Sequence, residues 1–187
     1  MVDRILRHCA AISAVLCLSA LLGCSGTLGI FGDDRSRSKT IADTEIELNI
    51  NKRLLAENNR DLFFNVSSDS FEGRVMLTGS VPSEADKLRA GRMVNGLPNV
   101  RELYNHLIVS STRGLANKTN DAWIDTKIRS QLITRKNIKW LNYRWRVVGG
   151  TVYLLGRAQN KSEKNDVMKI LRQTTRVRGI VDHVVNR

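Results

Sequence analysis

The chain has 187 residues, with 30 Lys or Arg against 18 Asp or Glu, so its formal net charge is +12 at pH 7. An excess of positive charge on this scale predicts a polyanionic partner. His106 and His183 have no nucleophile or metal-ligand spacing near them, and no Gly-rich loop precedes a Lys-Ser/Thr pair. These features argue against an enzyme, a metal centre and a nucleotide cofactor.

Residues 1–23 have the features of an export signal. A short basic start contains Arg4 and Arg7, and an apolar run extends from Ala10 to Leu22. A membrane-spanning helix needs about 20 apolar residues, and this run is shorter. The sequence therefore predicts a signal peptide that is removed from the mature protein.

The signal ends in Leu21-Leu22-Gly23-Cys24, which resembles the lipobox of bacterial lipoproteins. The resemblance implies cleavage before Cys24 and attachment of acyl chains, such as palmitate, to its thiol. Because Cys9 and Cys17 lie in the removed segment, Cys24 would be the single cysteine of the mature chain, and acylation explains a thiol without a disulfide partner. The alternative is an ordinary signal peptide with a chance cysteine.

The residue after the cysteine bears on the location of the protein. In the bacterial lipoproteins that this chain resembles, Asp after the acylated cysteine retains the protein in the inner membrane. This chain has Ser25 at that position. We therefore expect a lipid-anchored protein of the outer membrane that faces the periplasm. Residues 24–42 contain three glycines and no sustained apolar periodicity, so they are predicted to form the acylated cysteine and a flexible tether.

The rest of the chain is an internal duplication, with a first unit at 43–110, a linker at 111–120 and a second unit at 121–187. Each unit begins with apolar residues spaced by four, which predicts an amphipathic helix. The predicted seams pair Ile46 with Ile124, Ile50 with Ile128, Leu54 with Leu132 and Leu55 with Ile133. The later matched positions are Gly73 with Gly150, Val75 with Val152, Leu77 with Leu154, Gly79 with Gly156, Val100 with Val177 and His106 with His183.

Each unit is predicted to contain a helix, two strands, a second helix and a third strand. Glu72-Gly73 and Gly149-Gly150 are predicted to form the turn between the first two strands, and Ser83 and Ser162 are predicted N-caps of the second helices. The fold class is therefore α+β, with two small domains, each a three-stranded sheet covered on one face by two helices.

This order of elements, together with Val-x-Leu-x-Gly in the second strand of each unit, resembles the BON domain. Two such domains behind a lipobox resemble the dual BON-domain outer-membrane lipoproteins of the DolP/YraP type. The resemblance implies a non-enzymatic role in envelope integrity, with anionic phospholipid bound by the second domain. One departure affects the local turn, because Arg176 replaces the glycine that often precedes the last strand.

Charge separates the two units. The first has eight Lys or Arg against ten Asp or Glu, whereas the second has fifteen against five, which gives net charges of −2 and +10. Export excludes nucleic acid, so the polyanions available to the second unit are phospholipid headgroups, lipopolysaccharide phosphates and acidic proteins. The alternative is a solvated basic surface without a partner.

Five residues of the second unit are predicted to contact lipid. Trp123 takes the place of Glu45 and lies on the helix away from the apolar seam, so we expect it at headgroup level, unless it packs against the first domain. Lys127 follows one turn later. Arg144 and Arg146 lie on the strand face opposite Trp145 and are either headgroup contacts or a solvated face. The predicted lipid-binding residues are Trp123, Lys127, Arg129, Arg144 and Arg146.

Two functional classes follow from these features. The first is an envelope-maintenance lipoprotein that binds anionic phospholipid of the outer membrane. The alternative is an interaction module whose basic domain docks an acidic protein, such as a component of the outer-membrane protein assembly machinery. Both are non-enzymatic and need no cofactor, and His106 and His183 are predicted to be structural.

Overall fold

The computed structural model describes residues 34–56, 65–110 and 115–187, which belong to one compact unit, Asp33–Arg187. The predicted signal peptide, Cys24 and the first part of the predicted tether lie outside the described residues. The first domain contains helix α1 (Arg37–Ala56), strands β1 (Val66–Phe71) and β2 (Arg74–Val81), helix α2 (Glu84–Val94) and strands β3 (Glu102–Asn105) and β4 (Ile108–Val109).

The second domain repeats this order. It contains helix α3 (Leu115–Thr134), a 3-10 turn (Trp140–Asn142), strands β5 (Tyr143–Val148) and β6 (Thr151–Ala158), helix α4 (Lys161–Gln173) and strand β7 (Gly179–Asn186). In both domains the second strand is central, pairing antiparallel with the first strand and parallel with the last. The predicted fold class is confirmed, although the last strand of the first domain is interrupted at residues 106–107.

The helices of each domain cover one face of its sheet. In the first domain the seam of α1 packs on the inward side chains of β2, which include Val75 and Leu77. The second domain has the equivalent arrangement, with Val152 and Leu154 facing α3 and α4. The seam residues Ile46, Ile50, Leu54, Ile124, Ile128 and Leu132 are all at most 2% exposed, which confirms these positions of the predicted helix faces. The prediction was wrong for Leu55 and Ile133, which are 55% and 47% exposed, because each lies a further turn of about 100° around its helix from the last buried seam residue.

The glycine of Val-x-Leu-x-Gly is required by close backbone packing. A Cβ atom on Gly79 would lie 1.9 Å from the carbonyl oxygen of Asn65, and one on Gly156 would lie 2.3 Å from that of Asn142. No side chain fits at such distances, because the obstructing atoms belong to the backbone. The motif therefore fixes how the first strand approaches the second.

Helix boundaries differ from the predictions at three places. Helix α1 begins at Arg37, within the predicted tether, because the buried Asp43 carboxylate is paired with Arg35 at 2.6 Å and holds this segment against the fold. Helix α3 begins at Leu115, within the predicted linker. Ser83 caps α2 as predicted, whereas α4 is capped by Asn160 rather than Ser162.

The two sheets pack against each other through the faces that their helices leave uncovered. Phe71 and Met76 of the first domain form a third apolar core with Tyr153 and Leu155 of the second domain. All four side chains are at most 8% exposed. The layers therefore follow the order helix, sheet, sheet, helix, with three apolar cores between them.

Candidate functional site

Trp123 lies on the outer surface of α3, with 36% of its area exposed. Two cations flank its ring. The Nζ atom of Lys127 lies 5.5 Å from the ring centroid, and the guanidinium carbon of Arg176 lies 4.9 Å from it. All three residues belong to the second domain. We call Trp123, Lys127 and Arg176 the tryptophan cluster.

Helix geometry explains the position of Lys127 beside the ring, and a left-handed turn explains the position of Arg176. Lys127 follows Trp123 by one turn of α3, so their side chains share a face. Arg176 lies in the turn after α4 with φ at +71°, and Asn99 has φ at +67° in the corresponding turn of the first domain. Both domains thus use the same left-handed turn without a glycine, so the local geometry that Arg176 put in question is retained.

Arg176 is the residue that the sequence analysis missed. The Nη1 atom of Arg176 lies 3.5 Å from Oδ1 of Asn120, and the guanidinium group lies over the ring of Trp123. A basic residue at a position that favours glycine was a usable signal, because a left-handed arginine costs free energy that glycine does not.

The first domain has no equivalent of this cluster among its described residues. Glu45, at the position of Trp123, is an exposed carboxylate on α1, and Asn99 takes the place of Arg176. The two positions that carry the aromatic ring and one of its cations in the second domain are therefore acidic and neutral in the first.

The other predicted lipid contacts form a separate group around a cleft of about 280 Å³ between the two domains. Arg146 makes a bidentate ion pair with Asp69 of the first domain, at 2.7 and 2.9 Å, and remains 47% exposed. Arg144 donates to the carbonyl oxygens of Leu141 and Tyr143, at 3.0 and 3.1 Å. This group lies at the domain contact, apart from the tryptophan cluster.

Charges within the cleft largely compensate one another. Arg129 lies 3.5 Å from Asp125 and stacks at 5.2 Å over the ring of Trp145. Trp145 is 8% exposed and donates from Nε1 to Asp125 at 2.8 Å. The hydrogen bonds from Arg146 to Asp69 raise the pKa of this guanidinium further above its ordinary value.

The predicted structural histidines meet between the domains. The Nε2 atoms of His106 and His183 lie 2.7 Å apart, and the ring of Tyr104 stacks on His183 with centroids 3.7 Å apart. Across the described ranges 34–56, 65–110 and 115–187, no group of three or more His, Cys, Asp or Glu side chains could hold a metal ion. In the same part of the chain, no helix has the length and apolar character of a membrane span.

Comparisons with a family model and with known proteins identify the family of this chain. The model of the BON domain matches residues 42–111 and 120–186. An uncharacterized protein in the gshII 5′ region of Anaplasma centrale is 32% identical over 145 residues, which cover 77% of this chain and 94% of the relative. The outer membrane lipoprotein DolP of Haemophilus influenzae is 25% identical over 166 residues, which cover 88% of this chain and 86% of DolP.

Among solved structures, CdsD, a structural protein of the type III secretion system of Chlamydia trachomatis, is similar at 14% identity with a TM-score of 0.33. The match covers 76% of this chain and 92% of that chain. The fold and the relatives nevertheless agree at the level of the domain, because both repeats match the same family model. The chain belongs to the BON-domain family and is a dual-BON protein of the DolP type.

Proposed function

We propose that this protein is an outer-membrane lipoprotein, anchored at Cys24, whose second BON domain binds anionic phospholipid through the tryptophan cluster. It supports the integrity of the envelope and catalyses no reaction. The observation that carries the proposal is an exposed indole between two cations on the domain with a net charge of +10.

The chemistry of the cluster fits the headgroup region of a bilayer. An indole prefers this level because its ring is apolar and its N–H is polar. Each Lys or Arg close to an anionic surface contributes about 1 kcal/mol, and the contribution decreases with salt. Lys127 and Arg176 lie beside the ring, so a phosphate can be bound at the depth at which the indole inserts.

The contacts of Asp34 support a location of the second domain near the proposed anchor. Asp34 accepts hydrogen bonds from Lys139 at 2.6 Å and from Asn142 at 3.0 Å, both in the second domain. The ten residues that follow Cys24 span at most roughly 35 Å in any conformation. If Cys24 is acylated, a chain of this length keeps the second domain within reach of the lipid surface.

Flotation with vesicles tests the proposed lipid site. Residues 33–187 without the anchor should float with vesicles that contain phosphatidylglycerol and should remain unbound with neutral vesicles. Trp123→Glu should lower binding by about tenfold to a hundredfold, because about 1–3 kcal/mol of indole burial is lost.

Lys52→Glu in the first domain is the matched control, since Lys52 is also an exposed cation of the first helix in its domain. It should leave flotation unchanged. Equal losses in the two variants, or binding that is insensitive to salt, would contradict the proposed site.

The anchor is tested separately. Cys24→Ala should remove the protein from washed membranes, because the basic domain alone gives reversible, salt-sensitive attachment. Retention of this variant after washing at high salt would rule out Cys24 as the anchor.

An exposed apolar line favours the second candidate, an interaction module for outer-membrane protein assembly. Ile41, Leu48 and Leu55 lie on α1 opposite its buried seam and are 58%, 53% and 55% exposed. Their spacing of seven residues is typical of a helix that packs against another helix. A loss of outer-membrane protein assembly after Leu48→Glu, with vesicle binding unchanged, would favour this second candidate.

A further inference from the structure

The two domains contact each other through equivalent positions. Asp69 in β1 corresponds to Arg146 in β5, because Asp69 pairs with Met76 and Arg146 with Tyr153, which occupy the same place in β2 and β6. His106 corresponds to His183. Each contact thus joins residues 77 positions apart in the sequence.

The apolar part of the interface follows the same relation. Its members fall into equivalent pairs from the two domains. The pairs are Phe71 with Val148, Met76 with Tyr153, Thr78 with Leu155 and Tyr104 with Val181. Seven of these residues form the third apolar core, and Thr78, which is 1% exposed, is on the same face of β2 as Met76. Contacts of a position with its own equivalent lie on a two-fold axis. The domains are therefore arranged about a pseudo-two-fold axis through the Asp69–Arg146 ion pair and the histidine pair.

The two axial contacts differ in one respect. The ion pair exists because the duplication has diverged, with Asp in one copy and Arg in the other. The histidine pair has not diverged, so this contact joins two identical titratable side chains. Its Nε2 atoms lie 2.7 Å apart, and the ring centroids lie 5.0 Å apart.

The number of protons on this pair decides whether the contact is favourable. With both rings neutral, one Nε2–H donates to the other Nε2 atom. One added proton still leaves a donor and an acceptor, because a charged ring can donate to a neutral ring. A second added proton leaves two N–H groups and two positive charges facing each other at this distance, so the hydrogen bond is lost and repulsion replaces it.

We infer that the histidine pair is a pH-sensitive latch between the two BON domains, which is closed at neutral pH and opens when both rings are protonated in acid. The latch lies on the pseudo-two-fold axis, so its opening separates the sheets at the third apolar core. This inference does not depend on the proposed lipid site.

The groups around the pair disfavour its protonation on balance. Arg74 donates to the carbonyl oxygen of His183 at 2.8 Å, and Lys87 lies near His106. The carboxylates that act on His183 are Asp182, which lies on the other face of β7 and is paired with Lys164 at 2.8 Å, and Glu102, which accepts a hydrogen bond from the Tyr104 hydroxyl. The ring of Tyr153 covers His106, with centroids 5.1 Å apart.

The direction of the pKa shifts agrees with the geometry. Burial, with Lys87, lowers the pKa of His106, and burial, with the charge of His106 and Arg74, lowers that of His183 below the ordinary value of 6.5. A histidine whose pKa is lower in the folded state contributes stability that is present above its unfolded pKa. The domain contact should therefore weaken as the pH falls below about 6.5.

Amide hydrogen exchange of the full chain tests the latch. Exchange should be followed in β2 and β6 at about pH 7.5 and about pH 5, with correction for the intrinsic rates. We expect protection of these strands to be lost progressively as the pH is lowered, because the doubly protonated pair no longer forms the hydrogen bond that joins the domains.

The double variant H106Q/H183Q is the control, because glutamine keeps a donor and an acceptor but does not titrate. Its protection should be independent of pH, and the single variant H183Q should lose most of the dependence, since the remaining histidine binds at most one added proton. Constant protection in the natural chain, or an equal fall in the double variant, would overturn the inference.

Discussion

The two BON domains share one fold and differ in what their outer surfaces carry. The first has a net charge of −2 with Glu45 exposed on its first helix, and the second has a net charge of +10 with Trp123 at the same position. The buried positions of the two sheets remain equivalent, as do the hairpin turns. The duplication has therefore retained the core twice, whereas one copy has gained a candidate lipid surface.

The hairpin turns show how closely the cores correspond. Asp43 accepts hydrogen bonds from the backbone N–H groups of Glu72 and Gly73, at 2.7 and 2.8 Å. Asp121 does the same for Gly149 and Gly150, at 2.8 Å each. A carboxylate near the start of each domain thus fixes its first turn, which explains why both helices that carry these residues dock in the same way.

The largest expected effect comes from the glycine that the two domains share. Gly79→Ala should destabilise the protein by about 3 kcal/mol or more, because its Cβ would lie 1.9 Å from a backbone oxygen, and Gly156→Ala should cost less, because its clash is at 2.3 Å. Urea unfolding of both variants measures the difference. A Cβ on Gly96 would meet nothing within 4 Å, so Gly96→Ala measures the conformational cost of replacing a glycine without the cost of a steric clash. A larger loss in Gly156→Ala than in Gly79→Ala would contradict this account of the motif.

Most of this correspondence could be predicted from the sequence. Seams at a spacing of four and alternation in strands are local signals, so they predict the presence of α1, α3 and the hairpins, although both helices begin earlier than predicted, at Arg37 and Leu115. The third core could have been anticipated from β2, where Val75, Met76 and Leu77 are consecutive apolar residues, since a strand without alternation is buried on both faces.

The contacts across the domain interface could not be predicted in this way. The pairing of Asp69 with Arg146 depends on the rotation of one sheet on the other, and no local pattern encodes that rotation. The contact between Arg176 and Trp123 depends on where the turn after α4 meets α3. Charges and aromatic residues could be identified from the sequence, but not their partners.

The next effect concerns the ion pair between Asp69 and Arg146, which occupy equivalent positions of the two domains on the pseudo-two-fold axis. Asp69→Arg should place two arginines against each other and weaken the domain contact by about 1–2 kcal/mol, a modest value because Arg146 is 47% exposed. Arg146→Asp should have a similar effect. The exchange D69R/R146D should restore the contact, because the pair is symmetric about the axis. Thermal unfolding of the three variants gives the coupling energy. An exchange variant no more stable than the two single variants would contradict the pseudo-two-fold arrangement.

The smallest effect separates stability from the proposed function at one residue. Arg176 has φ at +71°, where glycine has no Cβ penalty, and its guanidinium lies over Trp123. Arg176→Gly should therefore stabilise the second domain by up to about 1 kcal/mol and at the same time weaken vesicle binding by roughly fivefold, since one cation beside the indole is lost.

Asn99→Gly in the first domain is the matched control, because Asn99 has φ at +67° in the corresponding turn and no part in the tryptophan cluster. It should stabilise the protein less, since asparagine tolerates this conformation, and should leave vesicle binding unchanged. Opposite signs for stability and binding in Arg176→Gly alone would indicate that the strained arginine is kept for the lipid surface. If both properties fall together, Arg176 serves the packing of the turn, and Lys127 alone flanks the indole.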